Sequence, residues 1–494
     1  MFEDKKKLYF IIAGIVVVLI IGITFFFLNR PKPVAFVDNS PVTLNWWKIS
    51  EGYDDKAFNE VITGFQKLPG NSAVTINLVK KDYDEKYYSS LIADFARGIG
   101  PDLYSFRNDE LSLYKEFLSP IEIFKKDLIT NYRQNFVDLA VRETMDRDKV
   151  YGITTYVDNL QMYYNKTLLN QALLTSPARD WKELTDQTLF LTRRNVNTDE
   201  FVQSTIAMGT GGRTPEDLKP NVDQSDKILP MMIFQAGGQM WDYKTNQPIF
   251  GSPKNLDDTK TNQATKTNLT AGGSRDKSFG KVDQDTPTYR AIRFYADFAD
   301  PTTTRYSWNN KMKSNVDLFL EGKVAYMINF RSFEDIIKNK NSRLNYEITE
   351  LPQLDSNIKR TFGQFFMDGI SRRIVQDVEQ NPKSLATARK YQKAQEFLEY
   401  LSRSQTQFKI TSATRLPAAH REVLAEQLKG DQTSKIFAGG ALYADNYYKP
   451  NIKKTEKMWL DLFESVHYQN TELPTAIGKA IQEYNLMSTE GGRK

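Results

Sequence analysis

After the N-terminal segment, the spacing of apolar and polar residues changes between two periods. Apolar and polar residues alternate over 42–47 and over 74–78, as they do in half-buried strands. Over 58–65 and 88–95 the apolar residues recur at intervals of three and four, as on one face of a helix. This order of strand, helix, strand and helix predicts an α/β fold with a mostly parallel sheet.

Asp180 and Glu183 stand at the start of another helical pattern, over 180–184. An acidic residue at the N-cap followed by Glu three positions later is typical of a capping box. We therefore interpret these two acids as structural and not as catalytic groups.

Residues 8–28 form an uncharged apolar run of 21 residues. As a helix, this run would be about 30 Å long, which matches the hydrocarbon core of a bilayer. It is longer than the apolar region of a signal peptide, and no small-residue cleavage site follows it. The sequence therefore predicts an uncleaved transmembrane anchor.

The charges beside this run predict its orientation. Three lysines precede it, against one arginine and one lysine just after it, and cytoplasmic flanks carry the excess of positive charge. We therefore expect a cytoplasmic tail at 1–7, the anchor at 8–28 and a linker at 29–41. The protein would be a single-pass protein of the cell membrane, with its main domain extracellular or periplasmic.

The chain is 494 residues long, which is too long for one core and long enough for two lobes. Within it, residues 253–287 are dominated by Lys, Thr, Asn, Asp, Ser and Gly. Such a stretch cannot bury enough apolar surface to offset the entropy of ordering it. We expect a flexible insertion there.

Composition and charge exclude several classes of function. The formal net charge of +5, from 66 basic and 61 acidic residues, argues against nucleic-acid binding, which normally requires a clustered basic excess. The absence of cysteine excludes disulfides, thiolate metal sites and lipid attachment through an N-terminal cysteine. With only two histidines, His420 and His467, we expect no metal site and no cofactor.

Several segments, in order, resemble one known family. Residues 150–166 read VYGITTYVDNLQMYYNK, and residues 319–333 read FLEGKVAYMINFRSF. Together with 176–184 and 411–418, they resemble the bacterial extracellular solute-binding proteins of the maltose-binding type, also called family 1. The resemblance extends over nearly all of 42–487.

The resemblance implies an α/β, two-lobed periplasmic-binding-protein-like fold of type II, behind the N-terminal transmembrane helix. The segment 150–166 would pass from the first lobe to the second. On this basis we expect the first lobe to comprise 42–155 and 353–410. The second lobe would comprise 156–352 and 411–494, with the flexible insertion inside it.

The resemblance also implies a ligand site between the lobes. The positions that match its loops are Trp46, Trp47, Asp102, Tyr156, Asp158, Trp241, Trp308, Phe330, Arg331, Phe366 and Arg415.

The residues themselves leave alternatives open at some of these positions. Period two places Trp46 and Trp47 on opposite faces of a strand, so at most one of them would reach a ligand. Asp102 could instead form a turn, and Trp241 could belong to the core. Trp308 follows in a polar loop, where an indole has less reason to be buried, which favours its ring as a ligand platform. Arg331 could bind a carboxylate as well as hydroxyls, which puts a purely neutral sugar in doubt.

The resemblance implies a protein without catalytic residues that captures an oligosaccharide and delivers it to the permease subunits of an ABC importer, and the run 8–28 would anchor it in the membrane. Polyol and peptide ligands stay open. One alternative is a sensor component that hands its ligand to a receptor. Another is a surface glycoside hydrolase, which would need two carboxylates roughly 5 to 9.5 Å apart. No pair of acids that are close in the sequence stands out as such a site.

Overall fold

The computed structural model describes residues 40–49, 55–84, 86–122, 126–195, 197–198, 200–211, 220–252, 284–354 and 359–491. The predicted anchor, most of the predicted linker and residues 253–283 of the predicted insertion lie outside these ranges. Among the described residues, no helix combines the length and the apolar character needed to cross a membrane.

Within these ranges, the strands are β1 (Val42–Lys48), β2 (Val74–Lys80), β3 (Leu103–Arg107), β4 (Leu118–Ser119), β5 (Met145–Asp146), β6 (Lys149–Val150), β7 (Asp158–Asn159), β8 (Gln161–Asn165), β9 (Arg193–Arg194), β10 (Phe201–Ile206), β11 (Trp241–Asp242), β12 (Gln247–Pro248), β13 (Val324–Asn329), β14 (Tyr346–Thr349), β15 (Thr361–Gln364), β16 (Phe366–Ser371) and β17 (Ala444–Asp445).

The α-helices of the same ranges are α1 (Asp55–Gln66), α2 (Tyr87–Ala96), α3 (Leu111–Tyr114), α4 (Lys126–Asn135), α5 (Asp138–Thr144), α6 (Lys166–Gln171), α7 (Trp181–Leu191), α8 (Ser225–Gln235), α9 (Pro287–Ala296), α10 (Asn315–Leu320), α11 (Phe333–Lys340), α12 (Arg372–Gln380), α13 (Leu385–Ser402), α14 (Ser404–Thr414), α15 (Arg421–Gln427), α16 (Gln432–Tyr443), α17 (Ile452–Tyr468) and α18 (Leu473–Gly491).

The first lobe is built on a five-stranded sheet in the order β2-β1-β3-β16-β4. Buried and more exposed side chains alternate along β1, so Val42, Leu44 and Trp46 enter the core. On α1, the buried residues include Phe58 and Val61, which recur at helical spacing. The sequence pattern therefore predicted these elements correctly.

The second lobe contains another five-stranded sheet, in the order β14-β8-β13-β10-β9. Here only β10 and β13 pair in parallel, and the other ladders are antiparallel. In the first lobe, β1 is parallel to β2 and β3, but β16 is antiparallel to β3 and β4. The prediction of a mostly parallel sheet is wrong, because strands such as β16 enter their sheet on the return from the other lobe.

The chain passes between the lobes three times. Val157 packs in the core of the first lobe and Leu160 in that of the second. The chain returns between Phe362 and Phe365, and it passes to the second lobe again between Ala441 and Tyr447. A three-stranded sheet of β17, β15 and β7 joins these three passages.

The third passage lies later in the sequence than predicted. Leu416, Ala419 and Leu424 pack in the core of the first lobe, although residues after 410 were assigned to the second. The physical reason is that α14 packs against α1 and also against α13 and α15. The first lobe therefore keeps the chain as far as α16, which contributes to both cores.

Candidate functional site

The turn that follows β3 faces the second lobe. β3 ends at Arg107, and Asn108, Asp109 and Glu110 follow in a single 3-10 turn. In open α/β sheets, ligands bind beyond the carboxyl ends of parallel strands. We therefore build the candidate site from this turn.

Ion pairs join the turn to the second lobe. The carboxylate of Asp109 accepts from Arg107 Nε at 2.6 Å and from Lys449 Nζ at 2.7 Å. Arg107 Nη2 lies 3.5 Å from Glu456 Oε1 in α17. Since Lys449 lies between Tyr447 and α17, both Lys449 and Glu456 belong to the second lobe. We call Arg107, Asp109, Lys449 and Glu456 the interlobe bridge.

The centre of the interlobe bridge is shielded from water. The side chains of Asp109 and Lys449 are 1% and 0% exposed. Burial raises the pKa of Asp109, but Arg107 and Lys449 outweigh it and hold that pKa well below its usual range. Lys449 Nζ also lies 5.7 Å from the ring centre of Phe362 and 5.4 Å from that of Tyr447. The Asp109 carboxyl group is therefore ionised, and Lys449 lies against aromatic rings of the second lobe.

Glu110, the neighbour of Asp109, is a buried carboxyl group with the opposite pKa shift. It accepts hydrogen bonds from Tyr83 Oη at 2.8 Å, from the Arg107 N–H at 3.0 Å and from Tyr88 Oη. Burial raises the pKa of Glu110 to about 8, although the bonds from Tyr83 and Arg107 lower it. Near neutral pH, Glu110 is therefore mostly protonated, whereas Asp109 is ionised.

A second set of contacts crosses between the lobes at α5. The Arg142 guanidinium lies 4.6 Å from the ring centre of Tyr243, which follows β11 in the second lobe. Tyr243 Oη donates to Glu143 Oε1 at 3.5 Å. Arg142 Nη1 also donates to Asp445 Oδ1, in β17, at 2.7 Å. Charged and aromatic groups of both lobes thus meet at two places.

Two further aromatic residues are close in sequence to these contacts. Trp241 lies two residues before Tyr243, and Tyr448 lies three residues after Asp445. Their ring centres are 4.5 Å apart with an interplanar angle of 42°. Trp241 is 7% exposed and Tyr448 is half-buried. Aromatic faces can stack on the apolar face of a ligand ring, while neighbouring charged groups hydrogen-bond hydroxyls. The interlobe face therefore suits a hydroxylated ring compound.

The part of the chain that the structure describes holds no group of three or more His, Asp or Glu side chains that could bind a metal ion. The polar groups named above are paired with one another. A ligand could therefore hydrogen-bond these groups only in exchange for their present partners.

Five of the predicted aromatic positions lie inside the cores, and three of them are Trp46, Phe330 and Trp308. Trp46 is 0% exposed, and its Nε1 donates to Asp368 Oδ1 at 3.0 Å. Phe330 packs in the second core, where its carbonyl accepts from Tyr163 Oη at 2.8 Å. Trp308 is also 0% exposed, which corrects the expectation, drawn from its polar neighbours, that its ring would be available to a ligand.

Tyr156 and Phe366 are buried in the first core. The Phe366 N–H donates to Tyr156 Oη at 3.3 Å. The Phe366 ring makes an edge contact with Tyr83, with ring centres 5.1 Å apart, and Tyr83 in turn bonds to Glu110. Of these two, Phe366 lies beside the candidate site.

Trp47 keeps some exposed surface, whereas Trp241, which is 7% exposed, is buried. Trp47 is half-buried, and Lys81 Nζ lies 3.9 Å from its ring centre. Trp46 and Trp47 thus face opposite sides of β1, as the period of the pattern predicted. Trp241 lies in β11, two residues before Tyr243 at the cross-lobe contact.

The two predicted aspartates are buried and hydrogen-bonded within the protein. Asp102 accepts from the Asn45 N–H at 2.8 Å and pairs with Arg373 and Lys390. Asp158 accepts from the N–H groups of Arg331 and Ser332 at 2.9 and 3.1 Å. Burial raises the pKa of Asp158 to about 6, although these N–H groups lower it. Both carboxyl groups support the backbone here.

The two predicted arginines differ in exposure. The Arg331 guanidinium lies 3.1 Å from Glu334 Oε2 and 5.3 Å from the ring centre of Phe437, and its side chain is 6% exposed. Arg415 is exposed and lies 3.2 Å from Asp335 Oδ1 of the second lobe. Arg415 therefore adds a cross-lobe ion pair at the surface.

The sequence did not single out Arg107, Asp109, Glu110 or Lys449. Asp109 and Lys449 are separated by 340 positions, so no local pattern joins them. The one local feature of these residues is the position of the Asn-Asp-Glu run directly after β3. Tyr83 and Tyr448 were also missed, because no local pattern joins them to these residues.

The family comparison covers most of the chain. A family described as bacterial extracellular solute-binding protein matches residues 60–438. This agrees with the resemblance noted in the sequence.

Among characterised proteins, a galactooligosaccharide-binding protein of Bacillus subtilis (strain 168) is 24% identical over 131 residues. That match covers 26% of this chain and 29% of the relative, which is less than a third of its length.

Two solved structures show the same fold. One is an ABC transporter solute-binding protein from Thermotoga lettingae TMO bound with α-D-tagatose, with a TM-score of 0.61, 18% identity and coverage of 90% of this chain and 100% of that one. The other is the maltose/maltodextrin-binding domain from Bdellovibrio bacteriovorus bound to maltotriose. Its TM-score is 0.59 and its identity 16%, with coverage of 92% and 100%. At these identities the likeness shows a two-lobed α/β fold, consistent with type II.

Proposed function

The chain belongs to the bacterial extracellular solute-binding protein family, and from this premise we propose that it captures an oligosaccharide between its lobes for an ABC importer. The observation that carries the proposal is the interlobe face, where aromatic rings stand beside charged side chains of both lobes. The sugars bound in its structural relatives, α-D-tagatose and maltotriose, support the same class of ligand.

The binding chemistry that we propose uses both kinds of group. Tyr448 and Trp241 would stack against the apolar face of a sugar ring. When the interlobe bridge separates, ligand hydroxyl groups would hydrogen-bond to Asp109, Arg107 and the other charged groups of the face in place of their present partners. The ligand would stabilise the joined lobes through contacts that only the closed arrangement offers.

A calorimetric titration of the full-length protein tests this function. We would titrate maltotriose, a galactooligosaccharide, tagatose, a polyol and a short peptide, and follow thermal unfolding in parallel. A ligand at 100 times its dissociation constant should raise the free energy of unfolding by about 2.7 kcal/mol. A carbohydrate that binds and is recovered unchanged supports the proposal. Binding of the peptide alone would contradict it, and a carbohydrate that is hydrolysed would indicate an enzyme.

Variants sharpen the same titration. Tyr448→Ala removes a half-buried ring at the interlobe face and should weaken sugar binding by roughly two- to tenfold, since stacking is worth about 0.5–1.5 kcal/mol. Phe190→Ala removes a ring that is 61% exposed on α7 and serves as the matched control, with unchanged affinity. Equal affinities for all three proteins would place the ligand elsewhere.

The proposed delivery to a permease requires the protein to be held outside the membrane. We propose that residues 8–28 anchor it, with the N-terminus in the cytoplasm; the length of the run and its flanking charges support this. An epitope tag at the N-terminus should be protected from protease in intact cells, whereas a tag after residue 494 should be cleaved. The reverse pattern would overturn this orientation.

A further inference from the structure

The interlobe bridge is made entirely of the chain's own side chains. Lys449 of the second lobe reaches Asp109 of the first at 2.7 Å, and neither side chain is more than 1% exposed. Arg107 reaches Glu456 across the same face at 3.5 Å. The two charged groups of the central pair therefore contact each other directly.

Each half of the central pair is held in place by its own lobe. In the first lobe, Arg107 fixes the Asp109 carboxylate at 2.6 Å and lies 5.2 Å from the ring centre of Tyr83. In the second lobe, the rings of Phe362 and Tyr447 flank the Lys449 ammonium. Groups that are already oriented lose less entropy when they meet, so the pair can offset more of its desolvation cost.

The bridge has support at two other points. Tyr243 of the second lobe contacts Arg142 and Glu143 of the first. Arg415 pairs with Asp335 at the surface, where solvent screens the contact. The contacts are spread along the interlobe face, so their loss would release the lobes as whole bodies.

We propose that the Asp109–Lys449 pair is a latch that holds the two lobes together before any ligand binds. Opening the cleft then requires the pair to separate and both charged groups to be hydrated. The ligand enters the open form. The apparent dissociation constant is therefore the dissociation constant of the open form divided by the fraction of protein in that form. The latch thus sets how much of the protein is ready to take up ligand.

The chain has no cysteine, so a spin-label pair can be introduced at two chosen positions. Asn59 on α1 and Lys182 on α7 are exposed and lie on different lobes. We would label Asn59→Cys and Lys182→Cys in the full-length protein and measure the interlobe distance by pulsed electron resonance without added sugar. Because no ligand takes part, failure of the latch is separable from failure of the proposed function.

Two variants remove the charge of the latch, Lys449→Met and Asp109→Asn. Both should shift the distance distribution to longer values than in the parent protein. Lys449→Arg keeps the positive charge and should stay close to the parent. Lys453→Met, an exposed lysine at the start of α17, is the matched control and should not change the distribution.

The double variant separates a latch from a general loss of packing. If the two side chains act through each other, Lys449→Met combined with Asp109→Asn should lengthen the distance no more than the larger single change. Far-ultraviolet circular dichroism shows whether each variant is folded. If a neutral variant is not folded, Lys449→Arg still tests the latch. Distributions that match the parent in the folded neutral variants, or a lengthening in Lys449→Arg as large as in Lys449→Met, would overturn the latch.

Discussion

Lys48 of β1 and Asp368 of β16 form a buried ion pair, with Nζ 2.7 Å from Oδ2 and both side chains 2% exposed. The other carboxylate oxygen accepts from Trp46 Nε1 at 3.0 Å and from Ser105 Oγ at 2.5 Å. Asp368 therefore ties β1, β3 and β16 together in the middle of the first sheet. The pair links residues that are 320 positions apart, across the excursion into the second lobe.

Lys48→Met should destabilise the first lobe strongly. The change leaves the Asp368 carboxylate buried without its cation, and removal of one partner of a buried pair costs about 3–5 kcal/mol. Urea unfolding at neutral pH measures the loss. Lys80→Met is the control, because Lys80 is exposed on β2 directly opposite Lys48, and it should change stability by less than about 0.5 kcal/mol. Similar losses in the two variants would show that the buried pair contributes no more than a surface charge.

Glu110 should make the stability of the first lobe depend on pH. Its folded pKa is raised by burial from 4.5 to about 8, so the folded state binds the proton more tightly than the unfolded state. The stability from the protonated carboxyl group is therefore present below about pH 4.5 and is lost as the pH rises towards 8. Glu110→Gln mimics the protonated group and removes this loss. Between pH 5.5 and 7.5, the free energy of unfolding of the variant should rise relative to that of the parent by about 1.4 kcal/mol for each pH unit.

The measurement is the difference in unfolding free energy between parent and variant at several pH values, which cancels the other titrating groups. Glu116→Gln changes an exposed acid in the same segment and is the matched control. Its difference from the parent should stay nearly constant over this range. Parallel curves for the parent and Glu110→Gln would contradict the raised pKa of Glu110.

Local elements were predictable because their causes are local. The alternation over 42–47 placed Trp46 and Trp47 on opposite faces of β1, and Trp46 is indeed the buried one. Asp180 accepts from the Glu183 N–H at 2.7 Å as the predicted N-cap of α7. The Glu183 side chain accepts instead from the Arg179 N–H, so the capping box is only partly formed. The strand pattern and the N-cap were thus predicted correctly from residues that are close in sequence.

The interlobe bridge could not be predicted because its members are distant in sequence. Asp109 and Glu110 are adjacent acids that a local pattern cannot distinguish from surface residues, and their opposite pKa shifts depend on groups as far away as Lys449. Trp308 shows the converse error. Polar neighbours favoured an exposed ring, but the backbone N–H of Trp308 donates to the Phe298 carbonyl at 3.1 Å and the indole is enclosed by the second core.

Gly440 allows α16 to pack closely against the passage between the lobes. A Cβ at this position would lie well inside the van der Waals distance of Asn159 Oδ1 and Gln161 Nε2. Those two side chains are fixed, because Asn159 Nδ2 donates to the Phe437 carbonyl at 2.9 Å and Gln161 Nε2 donates to Asn159 Oδ1 at 2.8 Å. The helix cannot accept a methyl group here without displacing β7 or β8.

Gly440→Ala should therefore destabilise the protein, by about 1–3 kcal/mol as for overpacked cores, although alanine is the better helix former. Gly439 gives a control within the same helix, since a Cβ there would have no atom within 4 Å. Gly439→Ala should stabilise the protein by about 0.5–1 kcal/mol through helix propensity alone. Thermal and urea unfolding of the two variants should thus move in opposite directions. If both variants were stabilised, α16 would have room to shift at Gly440, and the close contact with Asn159 would not constrain the passage between the lobes.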